Sequence, residues 1–235
     1  MFILRSLAVL LCLGGLFRSA TATADPIRVP ALYNTVYAPD GFDSNDHVQI
    51  VGEGMFRNTC YRHAETSVRV DAANHQIFLG PVAYEYPGLC LQVILPWERT
   101  VDIGILPAGH WDVMQGPTEK LGQLEVAPAT TDNPDDFLYA PVSQAFFRQR
   151  GNISEVLLSG NFPNSCMTID YVKITLQPKV IVLQPIAKDS SAASCKDGKF
   201  PFSKTVRITR IATGRYLLHV RSMNGNAINT LVDAK

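Results

Sequence analysis

The sequence predicts an all-β protein made of two tandem immunoglobulin-like β-sandwich domains that arose by internal duplication, with one disulfide in each. Three observations carry that reading: an ordered internal repeat, short β-rich runs punctuated by turn residues, and cysteines that recur at matching spacing.

The repeat is the most specific of the three. Gly54, Phe56, Asn58 and Cys60 return 106 residues later as Gly160, Phe162, Asn164 and Cys166. Val36 to Pro39 is matched with Leu138 to Pro141, and Leu79 to Ala83 with Leu183 to Ala187. Beyond the second cysteine of each half, Trp97, Val101, Ile103, Gly109 and Trp111 recur as Phe202, Val206, Ile208, Gly214 and Tyr216 at a constant offset of 105. A period this long indicates whole domains, since solenoid repeats run to roughly 20 to 50 residues. The expected division is residues 25–131 and 132–235, with a connector from Ala127 to Asp136 where hydrophobic patterning gives way to proline and acidic residues.

Strands are expected in the first half at Val48 to Val51, Ser67 to Val70, Gln76 to Leu79, Leu91 to Ile94 and Val101 to Ile103. The second half supplies Val156 to Leu158, Val172 to Leu176, Val180 to Leu183, Val206 to Ile208 and Tyr216 to Val220. Asp102 between Val101 and Ile103, and Arg207 between Val206 and Ile208, mark strands with one buried face. Val101 to Met114 reads as a hairpin turning at Pro107 to Gly109, and Val206 to Val220 as its counterpart turning at Ala212 to Gly214, with Trp111 and Tyr216 buried between sheets. Pro141 to Arg150 is the one short helical candidate in the mature chain.

Residues 1–24 read as a secretory signal peptide: one early charge at Arg5, an apolar run from Leu7 to Phe17 and small residues ending at Ala24. The run is too short to span a bilayer, which needs roughly 20 residues, and no later segment comes closer. Export implies a periplasmic or secreted protein and removes Cys12 with the leader. Cys60, Cys90, Cys166 and Cys195 are then expected to form disulfides within each half, and their gaps of 30, 76 and 29 residues do not suit a zinc site. Closing each loop of about 30 residues stabilises by about 3 to 4 kcal/mol on the chain-entropy account.

Chemistry is sparse. The chain lacks a G-x-S-x-G elbow, an H-E-x-x-H helix and a phosphate-cradling glycine loop, no cofactor is implied, and no free thiol remains for cysteine catalysis. The histidines are scattered, with His63 near Glu65 and His110 near Asp112. Asp40, Asp43, Asn45 and Asp46 gather oxygen ligands that suit calcium but lack the EF-hand spacing, so an acidic turn competes with a metal site. Asn152 to Ser154 would accept a glycan in a eukaryotic source.

The neutral total charge hides an asymmetry. Residues 25–131 carry 13 acidic and 6 basic side chains, net −7, and residues 132–235 carry 8 and 13, net +5. Arg207, Arg215, His219 and Arg221 fall at odd positions between apolar residues at even ones, so alternation predicts a basic solvent face on the second domain. Such a face can steer a charged partner or pair molecules head to tail, while charge drift after duplication would leave the same pattern without function. The excess is too modest, and aromatic-basic motifs too absent, for nucleic acid.

The expected function is therefore an exported, non-enzymatic binding or structural module that recognises a protein or anionic glycan through sandwich loops or the basic face. A secreted protease inhibitor is the alternative, presenting Tyr84 to Leu89 or Pro185 to Lys199 as a disulfide-supported loop. A hydrolase with an interdomain site, using His110 and Asp112, is the third reading.

Overall fold

The computed structural model describes residues 25–133, 135–151, 153–190, 194–209 and 211–235. The leader with Cys12, Pro134 of the connector and Asn152 of the glycosylation triplet fall outside them. Among the described residues the regular structure is entirely β-strand. No helix is long and apolar enough to cross a membrane.

In the first half, one sheet is built on β6 (Gln76–Glu85), flanked on one edge by β5 (Tyr61–Asp71) and on the other by β1 (Ile27–Pro30) and β8 (Gly109–Gln115). It continues through β9 (Glu119–Ala127) to the two-residue β3 (Phe42–Asp43). The second sheet orders β2 (Tyr33–Tyr37), β4 (Val48–Phe56) and β7 (Leu95–Gly104). Ile50 and Val101 from the smaller sheet and Ile77, Trp111, Val113 and Leu124 from the larger fill one core, an arrangement consistent with a β-sandwich.

The second half repeats the strand orders. Three strands, β10 (Val142–Arg150), β11 (Ile153–Asn164) and β14 (Asp197–Ile208), face four, β12 (Met167–Leu176), β13 (Val180–Asp189), β15 (Gly214–Ser222) and β16 (Asn226–Ala234). Val156, Leu158, Ile181, Leu183, Leu218 and Val220 lie in their shared core. The halves share a parallel pair, β6 with β8 and β13 with β15, and the first half adds the short parallel pair of β3 with β9, whereas the sheets of immunoglobulin domains are antiparallel.

The shared motif has a structural reason in both halves. A Cβ on Gly54 would strike the Trp97 indole and the Leu32 carbonyl, and one on Gly160 would strike the Pro141 carbonyl and the Phe202 ring. Asn58 Oδ1 accepts the Cys60 N–H at 2.9 Å, and Asn164 Oδ1 accepts the Cys166 N–H at 2.8 Å. These turns present the cysteines, and Cys60–Cys90 and Cys166–Cys195 close with Cα separations of 5.4 and 5.5 Å, in keeping with an oxidising compartment.

Four sequence expectations are corrected. Leu91 to Ile94, expected as a strand, is unpaired loop ahead of β7, because the disulfide-tied turn holds it off both sheets. Val142 to Arg150 is a strand: Ala145 and Phe147 pack on the core while Gln144, Phe146, Arg148 and Arg150 point outward, a period of two. The expected hairpins are crossovers, because β7 pairs β4 in one sheet and β8 pairs β6 and β9 in the other, and β14 and β15 divide likewise. Alternation identifies a strand's buried face and is silent about its partner. Finally, Tyr33 pairs Gly54 as Val142 pairs Gly160, and Ala31 N–H donates to the Pro81 carbonyl as Ala140 N–H does to Pro185. Ala140 therefore occupies the place of Ala31, and the match of Val36 to Pro39 with Leu138 to Pro141 is out of spatial register.

The halves pack face to face. Tyr37 and Val51, on the outward side of the first half's smaller sheet, meet Val180, Val182 and Leu217 of the second half's larger sheet, with Leu231 at the margin. Beside this apolar seam Arg221 Nη2 donates to both carboxylate oxygens of Asp46 at 2.8 Å, both residues being buried. The connector is fastened too: Asn45 Nδ2 donates to the Thr131 and Asn133 carbonyls, and Asp135 accepts the Asn224 and Gly225 N–H groups.

Replacing Arg221 by methionine leaves Asp46 buried and unpaired, so it is expected to cost about 3 to 5 kcal/mol of stability in denaturant unfolding. The double variant Asp46→Leu, Arg221→Met should recover most of that loss, which separates the unpaired charge from lost packing.

Candidate functional site

The four basic residues expected on one solvent face are divided by the structure. Arg207 lies on β14, where its exposed side chain pairs with Glu155 Oε1 at 3.1 Å, and Arg148 reaches the same carboxylate at 2.8 Å. Arg215, His219 and Arg221 lie on β15 in the other sheet, on the side turned toward the first half. His219 and Arg221 are only 1% and 5% exposed. Alternation correctly places the three on one side of β15. That side is not solvent, because a second apolar layer covers it.

Arg215 sits among three carboxylates: Glu53 at 2.9 Å, Asp233 at 3.2 Å and Glu98 at 3.4 Å. Two of them belong to the acidic first half. Tyr37 donates to Glu53 at 3.0 Å, and burial together with that carboxylate pushes its hydroxyl up to about 12. Arg221 also lies over the Phe42 and Tyr139 rings at 5.4 Å each. His219 Nδ1–H donates to Asn229 Oδ1 at 2.8 Å, Asn229 Nδ2 donates to Gln49 Oε1 at 3.0 Å, and the imidazole meets Phe42 edge-on. Two cations of the second half, Arg215 and Arg221, are thus neutralised by Glu53, Glu98 and Asp46 of the first inside one molecule.

The acidic loop is occupied in the same way. Asp46 serves Arg221 and accepts the Asp43 N–H, Asp43 accepts the Asn45 N–H, and burial raises the Asp43 carboxyl above the usual range. Asp40 stands apart, its N–H donating to Gln177. Asp43, Asn45 and Asp46 thus make turn and interface contacts, while Asn45 Oδ1 is buried without a hydrogen-bond partner among the described residues. Among the described residues no three His, Cys, Asp or Glu side chains are grouped as a metal site requires.

Neither His63 nor His110 pairs with its acidic neighbour in the sequence, Glu65 or Asp112. Glu65 pairs with Arg28, while His63 packs on Trp97, accepts from Arg99 and is lowered by burial and that guanidinium. His110 pairs with Glu125, and Asp112 with Lys120 at 2.8 Å, on the outer face of the first half's larger sheet. Neither residue lines the cleft between the halves, which is bounded by Asp43, Asp136, Phe137, Lys173 and Gln184.

One end of the first half remains open. The segment after β6, residues 86–94, is tied to the 59–60 turn by the Cys60–Cys90 bridge, by Thr59 N–H to the Leu91 carbonyl and by Tyr86 N–H to the Cys60 carbonyl. Leu89 is fully exposed, Leu91 and Ile94 are each 70% exposed, and Val93 and Tyr86 are half exposed. Beside them a cleft of about 360 Å³ is lined by Val29, Pro30, Leu32, Met55 and Phe56, with Arg57, Tyr61 and Glu85 at its polar side. Arg57 donates to the Tyr61 hydroxyl, which donates to Glu85 at 2.7 Å. Sequence reasoning noticed Tyr84 to Leu89 as an inhibitor loop and read Leu91 to Ile94 as a strand. The absence of any charge from Tyr86 to Trp97 was the available signal for a surface. Of Pro185 to Lys199, Pro185 to Ala187 are buried in β13.

Burial lowers His219 to about 4, with Arg221 acting in the same direction. The neutral imidazole folds into the interface while the unfolded chain's histidine binds a proton near pH 6.5. Its contribution to stability is therefore complete above about 6.5 and lost as pH falls toward 4, a loss of about 3 kcal/mol. Urea titrations at pH 7 and pH 4.5 should show this slope, and His219→Gln should flatten it.

Comparison with protein-family models, with curated proteins and with solved structures found no match in any of the three.

Proposed function

We propose that this chain is an exported, non-enzymatic binding module of two tandem, duplicated sandwich domains, residues 25–131 and 132–235, and that the loop end of the first domain is its recognition surface. Matching strand orders and motif turns support the duplication, and the parallel pairs make the immunoglobulin likeness one of two-sheet architecture. Exposed Leu89, Leu91 and Ile94 beside an apolar cleft carry the functional reading. A monomer rarely leaves a large contiguous apolar patch in water unless something covers it in use. An anionic glycan fits less well, because Arg215, His219 and Arg221 are engaged between the halves. The protease-inhibitor reading keeps one supporting observation, the projection of Leu89 from a loop anchored at Cys90.

A photoreactive phenylalanine analogue at Leu89 should form a crosslink in the source cell, and the same probe at Phe146, exposed on the far half, should form none. Crosslinking at Phe146 alone would move the binding surface to the second half. If pure protein instead inhibits a protease at submicromolar concentration and loses this with Leu89→Gly, the inhibitor reading replaces the first.

A further inference from the structure

We infer that the loop from Tyr86 to Trp97 docks the molecule on a lipid bilayer, Leu89 and Leu91 entering the acyl boundary while Arg57 and Arg62 meet headgroup phosphates. This inference rests on reading the loop end as the recognition surface, and names its partner.

The contrast between the two halves is the first support. Tyr86 to Trp97 contains no charged residue, whereas the corresponding stretch, residues 190–202, carries Lys196, Asp197 and Lys199. The disulfide-tied turn thus forms equally well with a charged loop, so the apolar sequence in the first half is not demanded by folding.

Shape is the second. Leu89 and Leu91 flank the bridged Cys90 and project outward. Their backbone is already ordered by the bridge and by the hydrogen bonds to Thr59. Projecting apolar side chains on a rigid support suit insertion into the headgroup and acyl boundary, where burial of a few side chains supplies the attraction.

Two cations stand at this end of an otherwise acidic half. The Arg57 side chain is 76% exposed, with its nearest carboxylate, Glu85, at 3.6 Å. Arg62 is exposed, donates from one nitrogen to the Thr59 and Tyr61 carbonyls, and has no carboxylate partner among the described residues. Both stand beside the loop and can reach anionic phosphates.

The test is flotation of the purified protein with vesicles of phosphatidylglycerol and phosphatidylethanolamine, and separately of phosphatidylcholine alone. The wild-type protein should float with the anionic vesicles. Leu89→Asp with Leu91→Asp should lower partitioning at least about tenfold, with near-ultraviolet dichroism and the Cys60–Cys90 bridge intact. Arg57→Gln should lower it about fivefold on anionic vesicles alone, and Phe146→Asp should leave it unchanged. A folded wild-type protein that floats with neither vesicle, or a double variant that floats equally well, overturns the inference. If Leu89 crosslinks to a protein while vesicles retain nothing, the lipid partner is overturned and the recognition surface stands. If Leu89 forms no crosslink to protein or lipid and vesicles retain nothing, both readings fall.

Discussion

Arg221 and Asp46 are 175 positions apart and buried against each other, and the relation between the two halves depends on that pair. Two charges removed from water repel the arrangement that buries them unless geometry and further contacts compensate. Here one guanidinium nitrogen reaches both carboxylate oxygens, and the same group lies 5.4 Å from the Phe42 and the Tyr139 ring centroids. Asp46 also holds the Asp43 N–H, which shapes the turn into β4. The pair defines orientation as well as proximity, since an apolar seam such as Val51 against Leu217 tolerates sliding and a two-oxygen contact does not.

Around that point the interface is layered by polarity. Apolar residues occupy the middle, His219, Asn229 and Gln49 form a chain of hydrogen bonds beside them, and Arg215 gathers Glu53, Glu98 and Asp233 nearer the edge. The exposed part of this network contributes little, because surface pairs are screened. The buried part makes the halves sensitive to acid through one imidazole held neutral.

The two disulfide-tied turns show how one scaffold can carry different surfaces. Gly54 and Gly160 are small for the same reason, the close approach of a ring and a carbonyl, and Asn58 and Asn164 orient the following cysteine in the same manner. With the framework secured by these few residues, the loops they anchor are free to diverge. One is charged, and the other is a row of exposed aliphatic side chains beside a cleft.

Class, cysteine pairing, motif turns and most strands were legible in the sequence because each follows from local chemistry: period-two alternation, cysteine parity and a seven-residue motif repeated in order. The sequence by itself also determined that Arg215, His219 and Arg221 share one side of their strand, and that the Tyr86 to Trp97 segment carries no charge. Only the tertiary structure decided that this side of β15 faces the first half, that β7 and β8 cross between sheets, and that Val142 to Arg150 is a strand. It also decided that Leu89 and Leu91 project from the molecule. These are consequences of which surfaces meet across more than a hundred residues, and neither alternation nor composition records a strand's partner or the layer that covers it.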